Sequence, residues 1–295
     1  MMWLLVFICT LTVVGGVPVQ PNQEATSHAP DNVTVTAMHA VPKPAKTQAG
    51  VVPLNGTHNV TSPAPGIVIP MLKPQQASAE TLEELQEELI VQEGDMLIQE
   101  DRNAVMTLWA EATVPYIISY ELADQEFNIL TAFRMISDFT CIRFIPRTTE
   151  LNYLEFKNGK GCASFVGCRG GAQAVYYARS CSVGNLCHEI IHALGLHHEH
   201  TRKDRDQYIN VQWQSIIPGR EKNFKMRSGN TLNLPYDLES IMHYGEYFFS
   251  LDGSPTMLSK YSGVQMGQRT HLSHLDIQRL NKLYHCDERM KSMHG

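Results

Sequence analysis

The 295-residue chain has no surplus of positive charge, no internal repeat, and no long apolar run beyond its first few residues. Its 24 Lys and Arg against 30 Asp and Glu give a formal net charge of −6. A balance that mild predicts neither nucleic-acid binding nor steering to a membrane. The apolar run at residues 3–14 is followed by Gly15 and Gly16 and is short for a bilayer span. It suits the core of a signal peptide covering residues 1–16, although Met1 and Met2 bring no basic side chain to its start. A buried N-terminal strand is the other reading of this run. The expectation is a secreted, extracellular protein without a membrane span.

Cysteine usage agrees with an oxidising compartment. Cys9 falls in the apolar run, which leaves Cys141, Cys162, Cys168, Cys181, Cys187 and Cys286. An even six in a secreted chain predicts three disulfides, with fifteen possible pairings. Residues 17–77 are rich in Pro, Ala, Thr, Val and Asn and show no steady period. Such a segment cannot bury enough apolar surface to offset its ordering entropy, so disorder is expected there. It carries three glycosylation sequons, at Asn32, Asn55 and Asn59. Residues 78–91 place Leu82, Leu85, Leu89 and Ile90 at helical spacing among glutamates, which reads as a short acidic amphipathic helix.

The chemistry is concentrated in residues 188–198, His-Glu-Ile-Ile-His-Ala-Leu-Gly-Leu-His-His. On a helix His188 and His192 lie one turn apart on one face, so their imidazoles can converge on one ion. Glu189 projects beside them, within reach of a metal-bound water. Gly195 can adopt the left-handed conformation that ends a helix, after which the chain doubles back and brings in His198. Three histidines and an open position make a catalytic rather than a structural zinc site. His197, His200, His243, His271, His274 and His285 are expected to be packing or surface residues. Asp204 and Asp206 are read as structural residues or as partners of the ligands.

Further along, residues 116–120, 141–145 and 153–156 read as strands, and residues 124–139 as a helix with Ile129, Ala132, Phe133, Ile136 and Phe139 inward. Ser273 and Asp276 form a capping signature for a last helix through Leu280 and Leu283. Residues 161–167 are a candidate cleft-edge strand to which an extended peptide could add.

The complete motif, the following Glu199-His200-Thr201-Arg202-Lys203-Asp204-Arg205-Asp206, the turn Ser240-Ile241-Met242-His243-Tyr244, and Cys141-Ile142-Arg143-Phe144-Ile145-Pro146-Arg147-Thr148 together resemble the astacin family of zinc endopeptidases. The likeness covers about residues 109–286, and the six-cysteine pattern is similar to secreted fish astacins of the hatching-enzyme kind. It implies an α+β, two-lobed metzincin domain with a mixed sheet, an active-site helix and a Met-turn, at residues 103–295; the few residues after Cys286 lead to the expectation of no accessory adhesion modules. It also implies one Zn2+ held by His188, His192 and His198, with Glu189 as general base, Tyr244 as oxyanion stabiliser, and Met242 packed beneath the metal. Cys141–Cys286 and Cys162–Cys181 are the implied disulfides, which leaves Cys168–Cys187 as a third pair that the family's four-cysteine core lacks; a redox or thiolate role for Cys187 is the other reading.

The resemblance also implies a propeptide at residues 17–102, inhibitory over 78–102. In Gln92-Glu93-Gly94-Asp95, Gly94 and Asp95 match the family's aromatic-x-Gly-Asp switch, and Gln92 stands in the aromatic position. A trypsin-like protease would cut Arg102–Asn103, and the new terminus would pair with Glu199. Arg269 is either an ordinary surface arginine or the cation that favours an acidic residue just after the scissile bond. Partners would be protein or peptide substrates, and the enzyme is expected to be a monomer. Two other classes compete: a non-catalytic zinc-stabilised binding protein, against which Glu189 is intact, and a small-molecule amidase, for which no residue pattern closes the cleft.

Overall fold

A computed structural model of the chain describes residues 90–98 and 107–292. The expected signal segment, the sequons, most of the acidic helix and the Arg102–Asn103 bond lie outside the described residues. Where residues 90 and 91 were expected to close that helix, they belong to a strand, because their backbone pairs with residues 97 and 98 instead of with their own preceding turn.

The described chain runs β1 (Ile90–Gln92), β2 (Met96–Ile98), β3 (Thr113–Ile118), α1 (Glu126–Ser137), β4 (Arg143–Pro146), β5 (Tyr153–Asn158), β6 (Ala163–Phe165), β7 (Ala172–Tyr177), α2 (Val183–Ala193), β8 (Ile209–Val211), β9 (Met257–Ser259), α3 (His274–Leu283) and α4 (Cys286–Ser292). Among the described residues, one mixed sheet has the order β1-β2-β6-β7-β5-β3-β4, and β8 and β9 form a second, two-stranded sheet. Strands β7, β5, β3 and β4 are parallel neighbours, while β6 runs antiparallel to β7. Next to β6 lies β2, parallel to it, with β1 folded back outside. Without residues 90–98, β6 would be the sheet edge.

The expected strands and helix appear with shifted ends. β3 starts three residues earlier than its pattern suggested, and Tyr120 opens a 3-10 turn, Tyr120–Gln125, with its ring in solvent. α1 buries Ile129, Ala132, Phe133 and Ile136, spaced i, i+3, i+4, i+7, against the sheet. Phe139, expected inward, is exposed, because α1 ends at Ser137 and carries residue 139 off the helical face.

Three apolar clusters result among the described residues, the smallest joining Leu97 of β2 to Ala163 and Phe165 of β6. The largest lies around the main sheet, α1 and α2 and takes in Met242, Leu272 and Leu280; the second gathers Ile209, Ile216, Phe224, Tyr236, Tyr244, Met257 and Met266. The segment 242–244 belongs to these two, so the expected Met-turn sits on the seam. Cys141–Cys286 and Cys162–Cys181 are bridged, at Cα separations of 5.2 and 6.4 Å.

Candidate metal centre

α2 is built to hold its side chains still. The Ser182 hydroxyl accepts from Asn185 N, and Asn185 accepts from Ser182 N in return, closing a capping box at the helix start. Gly184 fits where a Cβ would lie 1.7 Å from the Arg269 carbonyl oxygen. At the other end Gly195, at φ +112°, donates to His192 O and Leu196 N donates to Ile191 O, the paired bonds of a Schellman stop. Two last-turn carbonyls are satisfied from far away: Trp109 Nε1 donates to Ala193 O and Tyr284 Oη to Leu194 O. The stop that the glycine implied in the sequence is therefore made, and it aims His198 back at α2.

His188, His192 and His198 converge as the spacing predicted. His198 Nε2 lies 3.2 Å from both His188 Nε2 and His192 Nε2. A fourth group joins them from the preceding segment: Asp95 Oδ2 is 3.2 Å from both His188 Nε2 and His198 Nε2. All four residues are buried, and their ligand atoms lie within 4.8 Å of one another.

The set fits a metal ion. Each imidazole donates its Nδ1–H elsewhere, His188 to Ile241 O, His192 to Leu196 O and His198 to Glu93 Oε2, which turns the Nε2 lone pairs toward one another. Lone pairs facing each other at 3.2 Å repel unless a cation lies between them. Tetrahedral zinc with nitrogen ligands spaces them about 3.3 Å apart. Asp95 Oδ1 is buried and has no hydrogen-bond partner among the described residues. Three neutral nitrogens and one charged oxygen are the donors a zinc site takes.

The floor of the site is a buried polar lattice. Asp276, read in the sequence only as a helix cap, also accepts from Ser240 Oγ and Ile241 N. Ser240 Oγ accepts from Met242 N, and Met242 O accepts from Glu199 N. Asp276 therefore fixes the turn whose Ile241 carbonyl orients His188. Met242 is buried in the largest cluster, packing rather than ligating. Glu189 is wholly buried beside His188, and its carbonyl accepts from Ser164 Oγ of β6. The Tyr244 hydroxyl donates to the Glu93 carbonyl, and its ring stacks on His200 at 3.8 Å.

A model of the Astacin peptidase family matches residues 101–285. The chain belongs to the astacin family. It is 40% identical over 211 residues to embryonic protein UVS.2 of Xenopus laevis, covering 68% of this chain and 41% of that protein. To the astacin-like metalloendopeptidase of Mus musculus it is 42% identical over 188 residues, or 62% of this chain and 43% of the other. This astacin thus spans about two fifths of the length of those relatives. The solved structure of high choriolytic enzyme 1, a hatching enzyme zinc-protease from Oryzias latipes, superposes with a TM-score of 0.59 at 36% identity, covering 65% of this chain and 100% of that one.

Other expected residues of this astacin fall less simply. Cys168 and Cys187 are not bridged; both are buried thiols in the largest cluster. Cys168 lies in a backbone bridge with Thr107, and Cys187 sits on α2 in the field of Asp276. Burial pushes both thiols up, away from the thiolate that disulfide exchange requires. Glu199 accepts from Arg279 Nη2 at 2.7 Å, Asp237 N at 2.8 Å and Arg202 Nη1 at 3.2 Å. Burial lifts its carboxyl to about 7 against those guanidinium groups. Asp204 pairs with Arg202, and Asp206 with Arg205. Arg269 donates to the carbonyls of His243 and Gln268 and braces its own loop.

His200 and His243 are wholly buried, whereas His271, His274 and His285 are at the surface. Sequence reasoning missed Glu93 and Arg227. The Glu93 carboxylate is buried between His198 Nδ1 and the Arg227 guanidinium. The sequence held one signal for it: a charged residue two places before Asp95, in the turn Glu93-Gly94-Asp95.

Proposed function

We propose that this chain is the latent precursor of a secreted zinc endopeptidase. The observation that carries the reading is the convergence of Asp95, from the segment before the catalytic domain, on the three histidines of the metal motif. In this reading residues 1–16 are a signal peptide, 17–102 a propeptide, and 103–295 the catalytic domain. With zinc held by the three histidines, Asp95 would fill the ligand place that an attacking water needs. Residues 90–98 also pair with β6, the strand to which an extended substrate would add, and hold the Tyr244 hydroxyl through the Glu93 carbonyl. The three histidines, the strand edge and the hydroxyl are all engaged by one segment.

A trypsin-like cut at Arg102 would release them together. The new terminus at Asn103 is proposed to join Arg279 and Arg202 on Glu199. Zinc held by His188, His192 and His198 would supply Lewis acidity and make a water there more acidic. Glu189 then takes the proton of the attacking water and gives it to the leaving amine. Tyr244, released from the Glu93 carbonyl, donates its O–H to the developing oxyanion. β6 aligns the peptide backbone by its N–H and C=O groups. His188, His192 and His198, each steadied through Nδ1, keep the donor geometry fixed.

The test compares an intact precursor with an Asp95→Ala precursor on a denatured protein substrate. The reading expects the wild type to be silent and the variant to cleave, with cleavage abolished by a chelator. An Asp95→Ala precursor with bound metal that stays as silent as the wild type would refute the switch.

A further inference from the structure

The strand β6 and the loop after it are fastened to α2 at two points, and each falls on a residue of the histidine motif. The Ser164 hydroxyl donates to the Glu189 carbonyl at 2.7 Å, and the Gly167 N–H donates to the His192 carbonyl at 2.9 Å. The second point belongs to a braced loop. The buried Gln173 side chain donates to Gly167 O at 2.8 Å and accepts from Arg169 N at 3.0 Å. The first point rests on one side chain. Ser164 Oγ also lies 2.9 Å from Phe165 O, and a hydroxyl has a single proton, so the shorter contact is the one to α2.

Side chains alternate along a strand, so Ala163 and Phe165 pack with Leu97 on one face while Ser164 turns toward α2. Ser164 is 0% exposed. A hydroxyl buried there costs free energy unless it is bonded, and alanine would fill the position without that cost. Nor does α2 need the bond to form, since its capping box and its Schellman stop close both ends. The bond adds position. Ser164 N–H donates to Asp95 O at 3.0 Å, in the parallel pairing of Met96 with Ser164. Asp95 is also the residue whose carboxylate reaches the three histidines. The offset between β6 and α2 thus decides which part of a strand lying on β6 arrives among them. We propose that Ser164 is a positioning residue, whose hydroxyl holds β6 at a fixed offset from Glu189. A peptide aligned along β6 then brings its scissile carbonyl to Glu189 and the histidines together. This role rests on the latent-endopeptidase reading for its substrate.

The test uses zinc-loaded protein cut at Arg102 with trypsin, and an internally quenched peptide long enough to lie along β6. Ser164→Ala should lower kcat about tenfold, because small misplacements of reacting groups are costly. KM should stay within about twofold, because the strand edge that binds the peptide is backbone. Zinc content by atomic absorption should match the wild type. Ser164→Thr, which keeps the hydroxyl, should return kcat to within about threefold of the wild type. Leu154→Ala controls for stability alone: it empties a buried position elsewhere in the sheet and should leave kcat as in the wild type. An unchanged kcat in Ser164→Ala, a loss confined to KM, or an equal kcat loss in Leu154→Ala overturns the positioning role. So does a folded, zinc-loaded Ser164→Thr no faster than Ser164→Ala. A processed wild type that cuts nothing sinks the endopeptidase reading and this role together; an active wild type beside an equally active Ser164→Ala sinks this role alone.

Discussion

The two sides of the candidate metal centre are held together by different forces. Around the main sheet, α1 and α2 bury an apolar cluster of Ile, Leu, Val and Phe in regular elements. Between residues 199 and 272 regular structure shrinks to β8, β9 and short 3-10 turns, and buried charged or polar side chains do much of the fastening: Glu199, Arg205, Asp237 and His243, with Asp276 reaching in from α3. The first side tolerates no cavity and sets stability. On the second, hydrogen-bond geometry matters more, because each buried polar group must keep its partner. The three histidines of the candidate metal centre straddle the two: His188 and His192 ride on α2, and His198 starts the polar side. A site on such a seam gets its rigidity from one neighbour and its orientation from the other.

The largest effect should come at the seam itself. Glu189→Ala in processed enzyme should lower peptide kcat/KM by about 10²–10⁴-fold, the usual range for a lost general base. Metal content by atomic absorption should stay at the wild-type value. Activity retained within tenfold would remove Glu189 from its role.

The apolar side would be broken by Leu154→Ala, which empties a fully buried position in the sheet. Denaturant unfolding should show a loss of about 2–5 kcal/mol, with metal affinity unchanged. The polar side carries a pH signature. Burial, outweighing the Tyr244 carbonyl that accepts its Nδ1–H, lowers His243 to about 4. The folded state therefore binds fewer protons than the unfolded state between about 4 and the ordinary histidine value near 6.5. Stability should fall as pH drops through that window, by up to roughly 3 kcal/mol. Replacing His243 with Gln should flatten that slope in urea titrations run across the window; an unchanged slope would assign the effect elsewhere.

Smallest in free energy, and most informative about the comparison, is Asp276→Ala. It removes the carboxylate that fixes Ser240 and Ile241, and through Ile241 O the ring of His188. Zinc affinity in a chelator competition should weaken about 10–100-fold. Leu154→Ala weakening the metal as much as Asp276→Ala would erase the distinction between the two sides.

The sequence was readable where periodicity or a fixed spacing set the structure. The convergence of His188 and His192 on one face of α2, the Gly195 stop, the inner face of α1 and the Ser273 cap follow from local repeats of 3.6 and from capping chemistry. β7 and the β8–β9 pair escaped, the latter because short strands carry too few residues for a period to emerge. Glu93 and Arg227 lie 134 residues apart, and Asp276 meets Ser240 over 36. No local pattern announces a partner at that distance. Cys168 and Cys187 show the converse: an even cysteine count is a fact of composition, while a bond needs two sulfurs turned toward each other.

The account turns on a metal centre silenced by its own preceding segment, and one assay reaches it most directly. Zinc-loaded precursor and the same protein cut by trypsin at Arg102 would be compared on a denatured protein, each with and without chelator. The account predicts a silent precursor, an active cut form, and activity that vanishes with the metal. A precursor as active as its cut form, or a zinc-loaded cut form that cleaves nothing, would contradict it.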